Sequence, residues 1–325
     1  MLIVSWYRWS NNLLQISKNG QISEILFPDF TVPPSEYHAP VLSKGNRYVA
    51  VWYEKTIYVH DAQNDQIFVA PVKFKAPAFD LVFDSSDRLY YCEGNRIGYW
   101  DLANQKIEPL YNMARAAHGP ESLGVSPSGR YISFCKYRSA GYYLFIYDTV
   151  TQTCKDQKFS LYHYIWIDET HIAWTLSGGL KVLDVETGKS KTLLKDWSAV
   201  YKKAAKKDAD LLEAFSTTEN VYTDLDLLGF KDGKLYFSLY ISPFSWRAPR
   251  NLSHLGIWSI DTSGSCPAFC YTMPDSFYKA IHKGFTENGS IHWGEEEALN
   301  IFDGKSIRRL IGPYHASIYY QKRNR

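Results

Sequence analysis

Residues Leu123 to Phe159 read LGVSPSGRYISFCKYRSAGYYLFIYDTVTQTCKDQKF, and this stretch decides the fold. Four runs suited to extended backbone stand in it: a first strand from Leu123, then YISFCKY, LFIYD and TCKDQKF. β-Branched and aromatic side chains fill them, as they do in pleated, packed sheets. The turn Ser126 to Arg130 separates the first two runs. Asp148 closes the third, where a short carboxylate can bond the backbone of the turn that follows.

That third run recurs along the chain. It appears as IYVHD ending at Asp61, IGYWD at Asp101, LFIYD at Asp148, LKVLD at Asp184, IWSID at Asp261 and LNIFD at Asp303. LLQIS, ending at Ser17 before Lys18, Asn19 and Gly20, fits the same slot without the aspartate. The separations are 44, 40, 47, 36, 77 and 42 residues, and all but one match the length of a four-stranded blade. The long interval holds Trp197 to Phe215, in which Trp197, Tyr201, Ala204, Leu211 and Phe215 recur at helical spacing. It also holds the loop Pro243 to Asn251. One enlarged repeat therefore accounts for it. The 22 residues after Asp303, joined to the 17 that end at Ser17, supply one more repeat length.

These spacings predict an all-β chain: a seven-bladed β-propeller closed by its C-terminal strand. His315 to Lys322 would form the innermost strand of the blade that begins at Leu2, leaving no open sheet edge at the termini. Residues 1–325 are expected to make a single domain, with one helical insertion over about 196–219.

Ser126, Pro127, Ser128, Gly129 and Arg130, followed by Tyr131 to Phe134, resemble the Ser-Pro-Asp-Gly-Lys/Arg turn of TolB-type and related WD40-like propeller repeats. Trp100 and Asp101 resemble the WD dipeptide of such repeats. The resemblance covers most of the chain as architecture and implies a fold, not an activity.

Composition narrows the function classes. Lys and Arg total 36 against 34 Asp and Glu, so no global field favours nucleic acid or an anionic membrane, and neither is an expected partner. The run Met1 to Ser10 is too short and too aromatic for a secretory core, and no stretch reaches a transmembrane length. Five scattered cysteines, Cys92, Cys135, Cys154, Cys266 and Cys270, form no disulfide framework. A cytoplasmic protein is expected.

Motifs of known chemistry fail on inspection. Gly188-Lys189-Ser190 and Gly304-Lys305-Ser306 resemble the end of a phosphate loop, but Leu183 and Leu299 stand where its leading glycine belongs. Both read as hairpin turns in which glycine supplies a positive φ. No zinc spacing joins the cysteines, and no nucleophile elbow or zinc-protease helix occurs. Glu295, Glu296 and Glu297 read as a solvated run, Asn251 and Asn288 as sequons without a secreted context. No cofactor or metal is expected.

Alignment on the aspartates also aligns the residues that open each innermost strand around one mouth of the channel. They are Tyr37 and His38, Phe79 and Asp80, Glu121 and Ser122, Tyr162 and His163, Tyr222 and Thr223, Tyr278 and Lys279, and Tyr314 and His315. Five of the seven pairs carry tyrosine in the same place. Such a ring either wedges between blades or forms an aromatic funnel for a small ligand or peptide. A second surface is expected from Phe244, Trp246, Arg247 and Arg250 on the long loop, with Lys202, Lys203 and Lys206 of the insertion, because Trp and Arg dominate interface energies. The primary expectation is a non-catalytic scaffold that binds a protein or peptide, as an accessory subunit. The alternative is a hydrolase or lyase acting on a saccharide or small ester at the mouth, with two histidines as metal ligands or base and Asp80 or Glu121 assisting.

Overall fold

The computed structural model describes residues 3–7, 12–16, 22–26, 41–45, 47–53, 55–74, 78–113, 121–138, 141–160, 164–176, 179–195, 200, 221–243, 254–264, 267–274, 283–285, 291–295, 298–309 and 316–318. Among these, 28 strands form seven four-stranded antiparallel sheets. Sheet 1 holds β1 (Ile3–Tyr7), β2 (Asn12–Ile16), β3 (Ile22–Leu26) and the last strand, β28 (Ala316–Ile318), in the order β28-β1-β2-β3. Ser5, Trp6 and Tyr7 pair with Ile318, Ser317 and Ala316, so both ends of the chain share one sheet.

The other six sheets are simple meanders in chain order. Sheet 2 is β4 (Val41–Leu42), β5 (Tyr48–Tyr53), β6 (Thr56–Asp61) and β7 (Gln66–Val69). Sheet 3 is β8 (Ala78–Phe83), β9 (Leu89–Glu93), β10 (Arg96–Asp101) and β11 (Lys106–Asn112). Sheet 4 is β12 (Glu121–Val125), β13 (Tyr131–Arg138), β14 (Gly141–Asp148) and β15 (Thr153–Ser160). Sheet 5 is β16 (Tyr164–Trp166), β17 (His171–Leu176), β18 (Gly179–Asp184) and β19 (Ser190–Leu194). Sheet 6 is β20 (Val221–Lys231), β21 (Lys234–Pro243), β22 (His254–Asp261) and β23 (Ala268–Tyr271). Sheet 7 is β24 (Lys283–Phe285), β25 (Ile291–Glu295), β26 (Ala298–Phe302) and β27 (Ile307–Arg309).

Apolar side chains between sheets, rather than within them, make the core. Trp52, Ile57, Leu89 and Trp100 are buried between sheets 2 and 3. Ile97, Ile132 and Phe134 fill the gap between sheets 3 and 4, and Leu144, Ile172, Trp174 and Leu183 that between 4 and 5. Ala173, Val182, Leu225, Phe237 and Trp258 join sheets 5 and 6. Leu228, Ile257 and Ile291 join 6 and 7. Contacts run from first strand to first strand: β4 to β8, β8 to β12, β12 to β16, β16 to β20 and β20 to β24, with β25 meeting β28. Strands presenting apolar residues on both faces suit such stacking.

The repeat aspartates do the work their position implies. Asp61 accepts the Gln63 N–H at 2.9 Å, Asp148 that of Val150 at 2.9 Å, Asp184 that of Glu186 at 2.9 Å, Asp261 that of Ser263 at 2.9 Å and Asp303 that of Lys305 at 3.0 Å. Asp101 binds Asn104 through both N–H groups. Each turn then needs one left-handed residue. Gly188 supplies it at φ 69° and Gly304 at φ 92°, which is the role their sequence context assigns.

Alternating strand direction sorts the connections into two ends. Turns between strands 1 and 2, and between 3 and 4, lie at one end of each sheet, the turn end. The openings of the first strands and the hairpins between strands 2 and 3 lie at the other, the mouth end. At the turn end, neighbouring sheets latch together. Ser85 N–H donates to the Pro127 carbonyl at 3.1 Å, and Arg88 to that of Ser128 at 3.1 Å. Glu169 accepts Ser126 Oγ at 2.7 Å and Ser128 N–H at 2.8 Å, while Arg130 and Tyr131 both reach Glu186. Lys191 crosses to the carbonyls of Thr262 and Ser263. Sheets 3 to 6 are thereby tied in series.

Candidate functional site

The mouth end of sheets 3, 4 and 5 shows how first strands meet. Strand β8 loses register between Ala78 and Leu81, and β12 between Glu121 and Gly124, so each carries an irregularity near its opening. Ser122 sits there in the left-handed region at φ 55°. Backbone groups near these irregularities find partners on the next sheet. Asp80 accepts the Leu123 N–H at 2.8 Å with one oxygen and its neighbour Leu81's N–H at 3.1 Å with the other. From the other side, the Tyr164 hydroxyl donates to the Ser122 carbonyl.

Glycine makes room for that tyrosine. A Cβ on Gly124 would stand 2.7 Å from the Tyr164 hydroxyl oxygen and would also strike Ser133 Oγ. Ser133 in turn accepts the buried Trp166 indole N–H at 2.9 Å. Tyr164 is thus a wedge between sheets 4 and 5; Tyr162, the position expected from the sequence, lies outside the described residues. The physical signal for it is the pair Gly124 and Tyr164 in neighbouring repeats: one side chain is deleted where another must enter.

Electrostatics make this corner quiet. Burial pushes the Tyr164 phenol well above its ordinary range, helped by nearby Cys135 and opposed by Ser133. Burial likewise raises the Cys92 thiol, with the Asp80 charge acting in the same direction. A thiol held neutral in a closed apolar layer is a packing residue rather than a nucleophile. Asp80, assigned from sequence to the mouth, therefore has a defined duty as an intersheet acceptor.

The remaining expected site residues distribute as follows. Phe79 lies in β8, Glu121 opens β12, and Tyr222 follows Val221 at the opening of β20. Tyr37, His38, Tyr162, His163, Tyr278, Lys279, Tyr314 and His315 lie outside the described residues. So do Phe244, Trp246, Arg247 and Arg250, and Lys202, Lys203 and Lys206 with the rest of the expected helical insertion except Val200. Val200 is helical and buried against the core between sheets 5 and 6.

Register nonetheless fixes where these segments leave the sheet. The first two strands of sheet 6 are 11 and 10 residues long, and their pairing continues to Val221 opposite Pro243. In sequence, the segment expected as an insertion precedes Val221, and the stretch bearing Trp246 follows Pro243. Val221 and Pro243 are thus the paired residues at the open end of the longest hairpin among the described strands, at the mouth end.

No protein-family model and no curated protein matches the sequence. Solved structures do match in shape, and they include β-propeller proteins, so the chain has a β-propeller-like fold. An oligogalacturonate lyase in complex with manganese aligns at TM-score 0.62 and 10% identity, over 96% of this chain and 84% of its own. Streptogramin B lyase aligns at TM-score 0.53 and 10% identity, over 88% and 84%. A chain of the mitotic checkpoint complex aligns at TM-score 0.52 and 10% identity, over 96% and 86%. Enzymes and a member of a protein assembly thus share this architecture, and identities this low carry the fold alone. No helix among the described residues is long and apolar enough to cross a membrane.

Proposed function

We propose that the chain is a protein- or peptide-binding scaffold, an accessory subunit built as one closed seven-bladed disc and working in the cytoplasm. The observation that supports this reading is the extended hairpin of β20 and β21, whose Val221–Pro243 pairing sets the attachment points of two unusual segments beside each other at its open end. One contributes Lys202, Lys203 and Lys206; the other contributes Phe244, Trp246, Arg247 and Arg250. Aromatic and guanidinium groups beside a cationic segment make an epitope suited to an acidic protein surface. A rigid scaffold presenting function on long connections is the general pattern. The ties made by Asp80 and Tyr164 favour binding over chemistry at the neighbouring mouth, since these groups hold sheets together.

The experiment is capture from native lysate by the wild-type chain and by the double variant Trp246→Ala, Arg247→Ala. Loss of the captured partner with an unchanged thermal midpoint is the expected result. Equal capture by both proteins would sink the proposal. Saccharide or ester turnover that persists in that variant and disappears in His38→Ala, His315→Ala would instead favour a hydrolase or lyase.

A further inference from the structure

At the turn end, sheets 2 and 4 solve one packing problem in the same way. In each, the residue opposite the repeat aspartate is a tyrosine: Tyr48 pairs with Asp61, and Tyr131 with Asp148. In each, the residue before that tyrosine is an arginine lying over its ring, with Arg47 and Arg130 both 4.6 Å from the centroid. Arg47 grips Asp61 at 2.8 Å, and Arg130 reaches Asp148 at 3.4 Å and Glu186 at 3.1 Å. Ring, carboxylate and guanidinium form a closed bracket.

Sheet 5 keeps the ring and the carboxylate but omits the cation. His171 stands opposite Asp184, and the residue before it is Thr170. A cleft of about 340 Å³ opens there, between sheets 5 and 6. Its lining includes His171, Asp184, Asp168 and Lys189, with Ile167 and Val182 as its apolar members. The imidazole is held in place by Asp168, which lies 3.0 Å from Nδ1. Asp184 spends Oδ1 on the Glu186 and Thr187 N–H groups, as Asp148 spends its own Oδ1 on Val150 and Thr151. In Asp148 it is Oδ2 that receives the arginine. Lys191, also in the cleft, has its ammonium turned to the Thr262 and Ser263 carbonyls.

We propose that this cleft receives an arginine side chain from a partner peptide or protein, its guanidinium stacked on His171 and bonded to Asp184 and Asp168. The intramolecular brackets of sheets 2 and 4 are the templates: a planar cation over a ring, edge-on to a carboxylate. The apolar lining residues Ile167 and Val182 suit the methylene stem of arginine. The proposal is independent of the mouth-end epitope and lies at the opposite end of the sheets.

The test is an NMR titration of the full chain with N-acetyl-arginine amide, following the His171 imidazole and the Thr170 and Glu186 amides. N-acetyl-citrulline amide and N-acetyl-glutamate amide serve as controls. Saturable shifts with the arginine derivative alone are expected. Asp184→Asn, which keeps a turn acceptor, should weaken binding roughly fivefold, in keeping with the modest worth of an exposed ion pair. Thr170→Arg restores the internal bracket and should abolish binding while leaving the circular dichroism spectrum intact. Equal shifts with citrulline, preferential binding of glutamate through Lys189 and Lys191, or undiminished binding by Thr170→Arg would each overturn the assignment.

Discussion

The two ends of the sheets are held by different kinds of chemistry. At the turn end, six repeats place an aspartate at the same point, and arginines, serines and glutamates extend from it to the next sheet. At the mouth end, the described ties are singular: Asp80 takes one N–H, Tyr164 takes one carbonyl, and each exists because a first strand departs from regular register. A local problem posed in every repeat gets one repeated answer. A junction between two particular strands gets a private one.

Acid should separate the two ends most strongly. Burial alone would raise the Asp61 carboxyl, but Arg47, Gln63 and Asn64 hold it below its ordinary range. Asp148 is lowered in the same way, against burial, by the Val150 and Thr151 N–H groups and Arg130. Asn104 lowers Asp101, and the Thr187 N–H leads in lowering Asp184. Asp87 works in the other sense, raised by burial despite its bond to Ser43. For the four lowered carboxylates the unfolded chain therefore binds protons first as pH falls. Their stabilisation is complete above the ordinary carboxylate value of about 3.9 and is lost as pH drops through the lower folded values. Thermal midpoints should be flat from neutrality to about pH 5 and fall steeply below about pH 4. A midpoint that declines no further below pH 4 than above it would show that the aspartate turns contribute little.

The largest single-site effect is expected at Asp84. Its side chain is fully buried, and it accepts from Ser86 N–H at 2.8 Å, Arg88 N–H at 3.0 Å, Arg88 Nε at 2.7 Å and the Tyr90 hydroxyl at 3.2 Å. Asp84→Ala strands a partly buried guanidinium and should cost about 3–5 kcal/mol in urea denaturation. A cost below about 1 kcal/mol would mean that the turn end is no better tied than an ordinary surface.

Tyr164→Phe sharpens the comparison from the mouth end. The ring stays in the space left by Gly124, and the hydroxyl's bonds to the Ser122 carbonyl and to Ser133 are lost, so about 1–2 kcal/mol is expected. Gly124→Ala places a methyl against the same hydroxyl and should cost more than Tyr164→Phe. If the order is reversed, the hydrogen bond rather than the wedge holds these sheets together.

Legibility followed the same division. The period of the aspartates was readable because Asp61, Asp101, Asp148, Asp184, Asp261 and Asp303 each answer a local turn, so their spacing directly reports the sheets. The positive φ of Gly188 and Gly304 was readable for the same reason. Asp80 is legible only as a residue near the opening of its strand, because its bond to Leu123 joins residues 43 apart across two sheets, and no pattern within either strand announces it. Tyr164 is not legible as a wedge because strand alignment gives position only to within a residue or two. The vacant bracket of sheet 5 was invisible until Arg47 and Arg130 were seen to fill the equivalent space from within.

The smallest expected effect concerns Glu169. It accepts Ser126 Oγ, Ser128 N–H and Ser128 Oγ from the neighbouring sheet, yet the two bonds to Ser128 are exposed, where water competes for both partners, and only the one to Ser126 is part-buried. Glu169→Gln keeps one good acceptor and removes the charge, so roughly 0.5 kcal/mol or less is expected. What should change is local: amide exchange at Ser128 and Gly129 ought to quicken, because the turn they form loses its anchor on sheet 5. The Gly129 N–H also bonds the Ser126 carbonyl within its own turn, so a turn stable by itself would exchange at the wild-type rate. Unchanged exchange would therefore show that the Ser126–Arg130 turn is self-sufficient, and that its latch to sheet 5 sets relative position without stabilising the turn.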